Sequence, residues 1–77
     1  MNLEVNNIKE LYELLIPALE TKEIQLRRND YLGISKKDIW EYLSDTKWKD
    51  ANNLKLYQMV SDILNADNAA ISSYKEI

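Results

Sequence analysis

The residues best suited to bind a partner lie around a tryptophan between two lysines. Lys47, Trp48 and Lys49 follow one another where the helical spacing of apolar residues has lapsed. An aromatic face beside cations can stack on a nucleic-acid base or anchor a protein partner. Two arrangements are open for Trp48: it fills the core from a loop, or it stands exposed as a binding platform. The sequence favours the first, because small domains often use a loop aromatic to close the core.

Four further cations extend this candidate contact surface as two adjacent pairs, Arg27 with Arg28 and Lys36 with Lys37. If these cations share one face with Trp48, the surface suits RNA; if an apolar groove dominates, it suits a protein. The chain has 10 basic and 13 acidic residues, a net charge of −3. An acidic protein without a basic arm binds phosphates poorly at physiological salt, so direct RNA binding is expected to be weak.

The sequence shows no set of residues for catalysis, for a metal or for a cofactor. It contains no His and no Cys, and therefore no imidazole base, no thiol nucleophile and no Cys-based metal site. Glu10 with Glu13, and Asp38 with Glu41, are carboxylate pairs typical of a solvated helix surface. No Gly-rich loop or EF-hand pattern accompanies them. We expect a protein that is not an enzyme and that holds no metal or cofactor.

Helices must position the candidate residues, because 77 residues contain only one Gly and one Pro and apolar residues recur every three or four positions. This pattern predicts an all-α fold, a small bundle of three to four helices. We expect a single domain over residues 1–77, with residues 1–6 and roughly 66–77 frayed. A chain this short buries only about 60% of its unfolded surface, so homo-oligomerisation is a further expectation. No apolar run reaches membrane-spanning length and no signal peptide is evident, so the expected location is cytoplasmic, without membrane contact.

The first predicted helix runs from about Asn7 to Arg28, with Asn6 or Asn7 as its cap. Pro17 lies inside it. Proline lacks an N–H and its ring crowds the carbonyl of Glu13, so the sequence predicts either a kink or two helices meeting there. The predicted buried stripe consists of Ile8, Leu11, Tyr12, Leu15, Leu19 and Leu26.

The second predicted helix, over residues 36 to about 45, has the clearest start signal. Ser35 is expected to cap it, and Asp38 stands where its side chain can reach back to the N–H of Ser35. Ile34 and Ile39 bracket the cap as a hydrophobic staple. The residues predicted on its buried side are Ile39, Trp40 and Leu43, so Trp40 is expected to be mostly core.

A loop containing Trp48 leads to a third predicted helix, from about Asn53 to Asn65. Its predicted apolar stripe consists of Leu56, Met59, Val60, Ile63 and Leu64. The tail can form a short fourth helix that begins after Asp67 or Asn68. Its apolar residues at helical spacing are Ala70, Ile71, Tyr74 and Ile77.

A helix-turn-helix would make the chain a DNA-binding protein, but the spacing argues against it. That motif needs a turn of about three or four residues, often with Gly, before a recognition helix. The stretch from Thr46 to Asn52 is longer and contains no Gly. The polar positions of the third helix offer few side chains that could contact DNA bases. DNA binding is therefore the weakest of the binding alternatives.

Several short motifs are similar to those of one family of small helical proteins. They are the triplet Asp38-Ile39-Trp40, the triplet Lys47-Trp48-Lys49, the run Val60-Ser61-Asp62-Ile63-Leu64 after Leu56, and, before these, a first helix containing proline ahead of a turn with Tyr31. On these residues the chain resembles the ComN-type post-transcriptional regulators of Gram-positive bacteria, over most of its length. The resemblance implies control of messages of the competence system after transcription, through RNA or through a protein that acts on RNA.

Three functions therefore stay open from the sequence. The first and favoured one is a non-enzymatic adaptor that acts through a regulatory protein partner. The second is a direct single-stranded RNA binder that uses Trp48 and the neighbouring lysines, and the third is a small DNA-binding helical protein.

Overall fold

The computed structural model describes residues 8–49 and 54–75 of the chain. This part of the chain forms a small all-α bundle, as the sequence predicts. Its helices in chain order are α1 (Ile8–Arg28), α2 (Lys36–Asp45), α3 (Leu56–Leu64) and α4 (Asn68–Lys75). Helix α1 packs against α2 and α3, and α2 also packs against α3 and α4. No helix in the described residues is long and apolar enough to cross a membrane.

Helix α1 continues through Pro17 as one helix of 21 residues. The alternative of two helices meeting at the proline is therefore wrong, while a bend within the continuous helix stays a prediction. Pro17 and Glu13 both lie on the exposed side of α1, so water can reach the carbonyl that the missing N–H leaves without its helical partner. The predicted cap at Asn6 or Asn7 lies outside the described residues.

The end of α1 is closed by a residue with a positive φ angle. Asp30 has a φ of 67°. The N–H of Tyr31 donates to the carbonyl of Leu26 at 2.9 Å, and the N–H of Asp30 donates to the carbonyl of Arg27 at 3.2 Å. These two bonds define a Schellman motif, which pairs carbonyls at the end of a helix. Gly33, with a φ of 80°, completes the turn into α2.

The predicted start of α2 is confirmed. The N–H of Ser35 donates to Asp38 Oδ2 at 2.8 Å, and the N–H of Asp38 donates to Ser35 Oγ at 3.2 Å. These reciprocal bonds form a capping box. Ile34 and Ile39, the two residues of the predicted staple, are both buried. Local sequence alone therefore fixes where α2 begins.

The core draws on all four helices and on the loop after α2. Its buried apolar residues are Leu15, Leu19, Leu26, Ile34, Ile39, Leu43, Trp48, Met59, Ile63 and Ile71. Trp40 packs against this core but is only half-buried. Leu64, predicted on the buried stripe of α3, is 39% exposed. It lies about 140° around the helix from Met59 at 100° per residue, so it reaches only the edge of the buried face.

Helices α3 and α4 begin close to where the sequence places them. Helix α3 is described from Leu56, with Lys55 as its N-cap residue, so it starts three residues after the predicted Asn53, which lies outside the described residues. The N–H of Ala69 donates to Asp67 Oδ1 at 2.9 Å, which places the start of α4 after Asp67 as predicted. The helix buries Ile71 completely. Ile77 lies outside the described residues.

Candidate functional site

Trp48 is buried and fills the core from the loop after α2. Only 8% of it is exposed, and its backbone N–H donates to the carbonyl of Leu43 at 2.9 Å. The prediction that Trp48 closes the core is confirmed, and the alternative in which it stands exposed is wrong. The physical reason is the size of the chain: a small core gains much from the large apolar area of an indole.

A chain of three aromatic rings links Trp48 to α1 through α2. The rings of Trp40 and Trp48 meet edge to face, with centroids 5.6 Å apart. The ring of Tyr12 meets that of Trp40 in the same way, with centroids 5.3 Å apart. Edge-to-face contacts are a favoured arrangement for aromatic pairs. Trp40 therefore acts as the bridge between α1 and the loop that carries Trp48.

The carboxylate of Asp62 on α3 binds the side chains of both Trp48 and Lys47. The indole N–H of Trp48 donates to Asp62 Oδ2 at 2.9 Å, and Lys47 Nζ lies 3.0 Å from Asp62 Oδ1. Partial burial raises the pKa of Asp62, but the hydrogen bonds from Trp48 and Lys47 together hold the pKa below its ordinary value. The carboxylate is therefore ionised at neutral pH and ties the loop to α3.

An open groove runs between this loop and the outer side of α3, and we call it the α3 groove. Its volume is about 430 Å³, and its lining residues are Lys47, Trp48, Leu54, Tyr57, Gln58, Ser61 and Asp62. Tyr57 is 67% exposed, although it is one of the largest side chains in the chain. The α3 groove thus joins an exposed aromatic, a partly buried Leu54 and several hydrogen-bonding side chains.

The six cations named from the sequence lie in two separate groups. Arg27 and Arg28 end α1, while Lys36 and Lys37 begin α2. The other two, Lys47 and Lys49, follow the far end of α2, about 15 Å away along the helix axis. The structure therefore does not bring the six cations together around Trp48.

Two of these cations already have acidic partners. Lys36 Nζ lies 3.9 Å from Glu23 Oε1, and the backbone N–H of Lys36 also donates to Glu23 at 3.2 Å. Lys47 is paired with Asp62, as described above, although the Lys47 side chain is 62% exposed. These pairs reduce the positive charge that either group can offer to a phosphate.

Lys22, which was not predicted from the sequence as a site residue, is the one buried charged residue among those described. Lys22 Nζ donates to the carbonyl of Ala66 at 2.6 Å and to Gln25 Oε1 at 2.8 Å. Burial lowers its pKa, and the nearby charge of Asp67 opposes that shift. Lys22 follows Leu19 by three residues on the buried stripe of α1, and this spacing is the signal that could have identified it.

Three polar contacts, none of them predicted from the sequence, hold α4 on α2 and on the turn before it. The hydroxyl of Tyr74 donates to Asp45, and this bond is the main cause of the raised pKa of Tyr74. Lys75 Nζ lies 3.0 Å from Asp38 Oδ2 and donates to the carbonyl of Gly33. The carboxylate of Asp38 therefore caps α2 and also forms an ion pair with the end of α4.

These features define the class of the molecule, a small helical bundle with a groove beside α3. The chain belongs to the post-transcriptional regulator family, whose sequence profile matches residues 8–76. It is 30% identical over 61 residues to the post-transcriptional regulator ComN of Bacillus subtilis (strain 168). That alignment covers 79% of this chain and 62% of the relative, so the chain spans less than two thirds of the relative's length. No solved structure matches the chain. The family match and this relative confirm the resemblance seen in the sequence.

Proposed function

We propose that this protein regulates messages after transcription as a small, non-enzymatic adaptor in the cytoplasm, by holding a regulatory protein partner. Membership of the post-transcriptional regulator family supports the regulatory part of this proposal. The adaptor part rests on one observation: Trp48, the best candidate for stacking on a base, is only 8% exposed. A buried indole that is already engaged by Asp62 has no free face for a nucleotide.

The distribution of charge supports a protein partner over RNA. Phosphate affinity comes mainly from clustered Lys and Arg, and it grows with the number of phosphates neutralised together. Here Lys36 and Lys37, at the start of α2, are separated from Lys47 and Lys49 by the length of that helix. In a chain with a net charge of −3, neither group by itself makes a strongly basic surface.

The described surface carries large exposed apolar side chains, which a protein partner could cover on binding. Tyr57 is 67% exposed, Leu32 72% and Leu14 49%. Tyrosine in particular is enriched at protein interfaces, where its ring adds contact area with little loss of side-chain entropy. Tyr57 also lines the α3 groove, which makes this the first surface to test.

The proposal is tested by purifying the tagged protein from its native cells with and without ribonuclease. A partner protein that is retained in the same amount after ribonuclease treatment is the expected result. Loss of every specific partner on ribonuclease treatment would contradict the adaptor and favour direct RNA contact. A second copy of the chain with a different tag, expressed in the same cells, tests the expected homo-oligomer by the same measurement.

A further inference from the structure

Resting on the proposed adaptor function, we propose that the α3 groove binds a protein segment that carries one large apolar side chain flanked by carboxylates. The groove is the binding site, the apolar side chain is the anchor, and the flanking carboxylates meet the lysines at its rim.

The size and lining of the groove fit one large side chain. Its volume of about 430 Å³ falls within the roughly 300–1,000 Å³ that is common for ligand sites. The ring of Tyr57 stands exposed on one side, and Leu54 and the edge of Trp48 lie on the lining with it. An aromatic or large aliphatic anchor would cover this apolar surface and remove it from water.

The wall of the groove is fixed before a partner arrives. Trp48 is held by the carbonyl of Leu43, by the carboxylate of Asp62 and by the ring of Trp40. A site that is ordered in the free protein loses little conformational entropy on binding. The tryptophan thus contributes to recognition as a support for the surface and not as an exposed contact.

The charge around the groove selects carboxylates in the partner. Among the described residues, three lysines lie on the groove or directly beside a lining residue, Lys47, Lys49 and Lys55, against one aspartate, Asp62. Asp62 already receives two donors, the indole N–H of Trp48 and the ammonium of Lys47. Lys49 and Lys55 are exposed, and each follows a lining residue directly in sequence. A segment with acidic residues beside its anchor would therefore be complementary to this rim.

Two polar side chains on α3 add donors to the same groove. Gln58 Oε1 accepts from the N–H of Lys55 at 3.0 Å, and Ser61 Oγ accepts from Asn65 Nδ2 at 3.2 Å. These bonds use acceptor oxygens, so the amide N–H groups of Gln58 and the hydroxyl hydrogen of Ser61 can donate to carbonyls or carboxylates of a bound segment.

The test is a nuclear magnetic resonance titration of the isotopically labelled full chain with short capped peptides. The first peptide has a central tryptophan flanked by glutamates; the second has lysines in place of the glutamates; the third has serine in place of the tryptophan. A short oligouridine is the fourth probe. We expect the first peptide to shift the indole N–H signal of Trp48 and the amide signals of α3, and to bind about tenfold more tightly than the second and third.

Matched variants locate the site. Tyr57→Ala and Lys49→Glu are each expected to weaken the first peptide about tenfold or more while leaving the helical circular dichroism unchanged, since both side chains are exposed. The controls are Leu32→Ala, at an exposed apolar residue in the turn before α2, and Lys37→Glu, at an exposed lysine that begins α2. Both controls are expected to bind the peptide as the unaltered chain does.

Three results of the titration would overturn the inference. They are an absence of shifts at the groove with the acidic peptide, equal binding of the lysine peptide, and tighter binding of oligouridine to the same residues. The adaptor function is separable from this site. If Tyr57→Ala keeps a ribonuclease-resistant partner in cells, the groove is not the docking site and the adaptor stands. If the unaltered chain has no such partner, the adaptor function itself fails.

Discussion

The indole N–H of Trp48 donates to Asp62 Oδ2 at 2.9 Å, joining the loop after α2 to the last turn of α3. This bond satisfies the polar atom of a tryptophan that is otherwise surrounded by core residues. It also turns one edge of the indole toward the α3 groove. The same contact therefore stabilises the fold and shapes the proposed binding surface.

Trp48→Phe should lower the free energy of unfolding by about 1 to 3 kcal/mol, because the buried ring is largely kept while a hydrogen bond to a charged acceptor is lost. Urea denaturation followed by circular dichroism measures the change. Tyr57→Phe, at an exposed aromatic on the same groove, is the control and should change the free energy by less than about 0.5 kcal/mol. An equal effect of the two substitutions would mean that the bond between Trp48 and Asp62 adds nothing to stability.

The stability of the protein should fall in acid partly through Asp62. Burial raises the pKa of this carboxyl, but the bonds from Trp48 and Lys47 outweigh that effect and the net shift is downward. The resulting stabilisation is present above the ordinary carboxyl pKa of about 3.9 and is lost as the pH falls through the lower value of the folded state. Thermal melts at a series of pH values should show Asp62→Asn less stable than the unaltered chain at pH 7, with the gap closing in acid. A gap that is independent of pH would contradict this role.

Ser35→Ala should lower the free energy of unfolding by about 1 kcal/mol, as the loss of a side-chain helix cap commonly does. The substitution leaves the N–H of Asp38 without its Oγ acceptor, while the N–H of Ser35 keeps its bond to Asp38 Oδ2. The melting temperature is the readout. Ser73→Ala, at an exposed serine inside α4, is the matched control. An unchanged melting temperature for Ser35→Ala would mean that the hydroxyl does not stabilise the start of α2.

Local chemistry explains why some elements could be predicted from the sequence. The capping box at Ser35 and Asp38 involves residues three apart, so its whole signal lies in one short stretch. The end of α1 at Arg28 was also predicted correctly, but the backbone conformation that closes the helix was not. There Asp30 adopts the left-handed conformation that glycine usually adopts at the end of a helix. An aspartate in a polar turn gives no specific sequence signal for that conformation.

The candidate site was less predictable because it depends on contacts between distant residues. Trp48 and Asp62 are 14 positions apart in the sequence, and no periodicity relates a loop residue to the polar side of a later helix. Lys22 reaches Ala66 across 44 positions. Similarly, the sequence analysis placed Lys36 and Lys47 on one candidate contact surface, but α2 separates them in space. Only the packing of the helices determines these relationships.

The central claim is that the protein acts through a protein partner and not through its own contact with RNA. Its most direct test is fluorescence anisotropy of a labelled single-stranded RNA titrated with the purified full chain at two salt concentrations. The account predicts binding weaker than about 1 μM at physiological salt, steeply reduced at the higher salt concentration and indifferent to RNA sequence, as expected when only a few phosphates are neutralised. Submicromolar binding that resists salt and is lost in a Lys47→Glu, Lys49→Glu double variant that remains folded would contradict the account and identify a true RNA site beside Trp48.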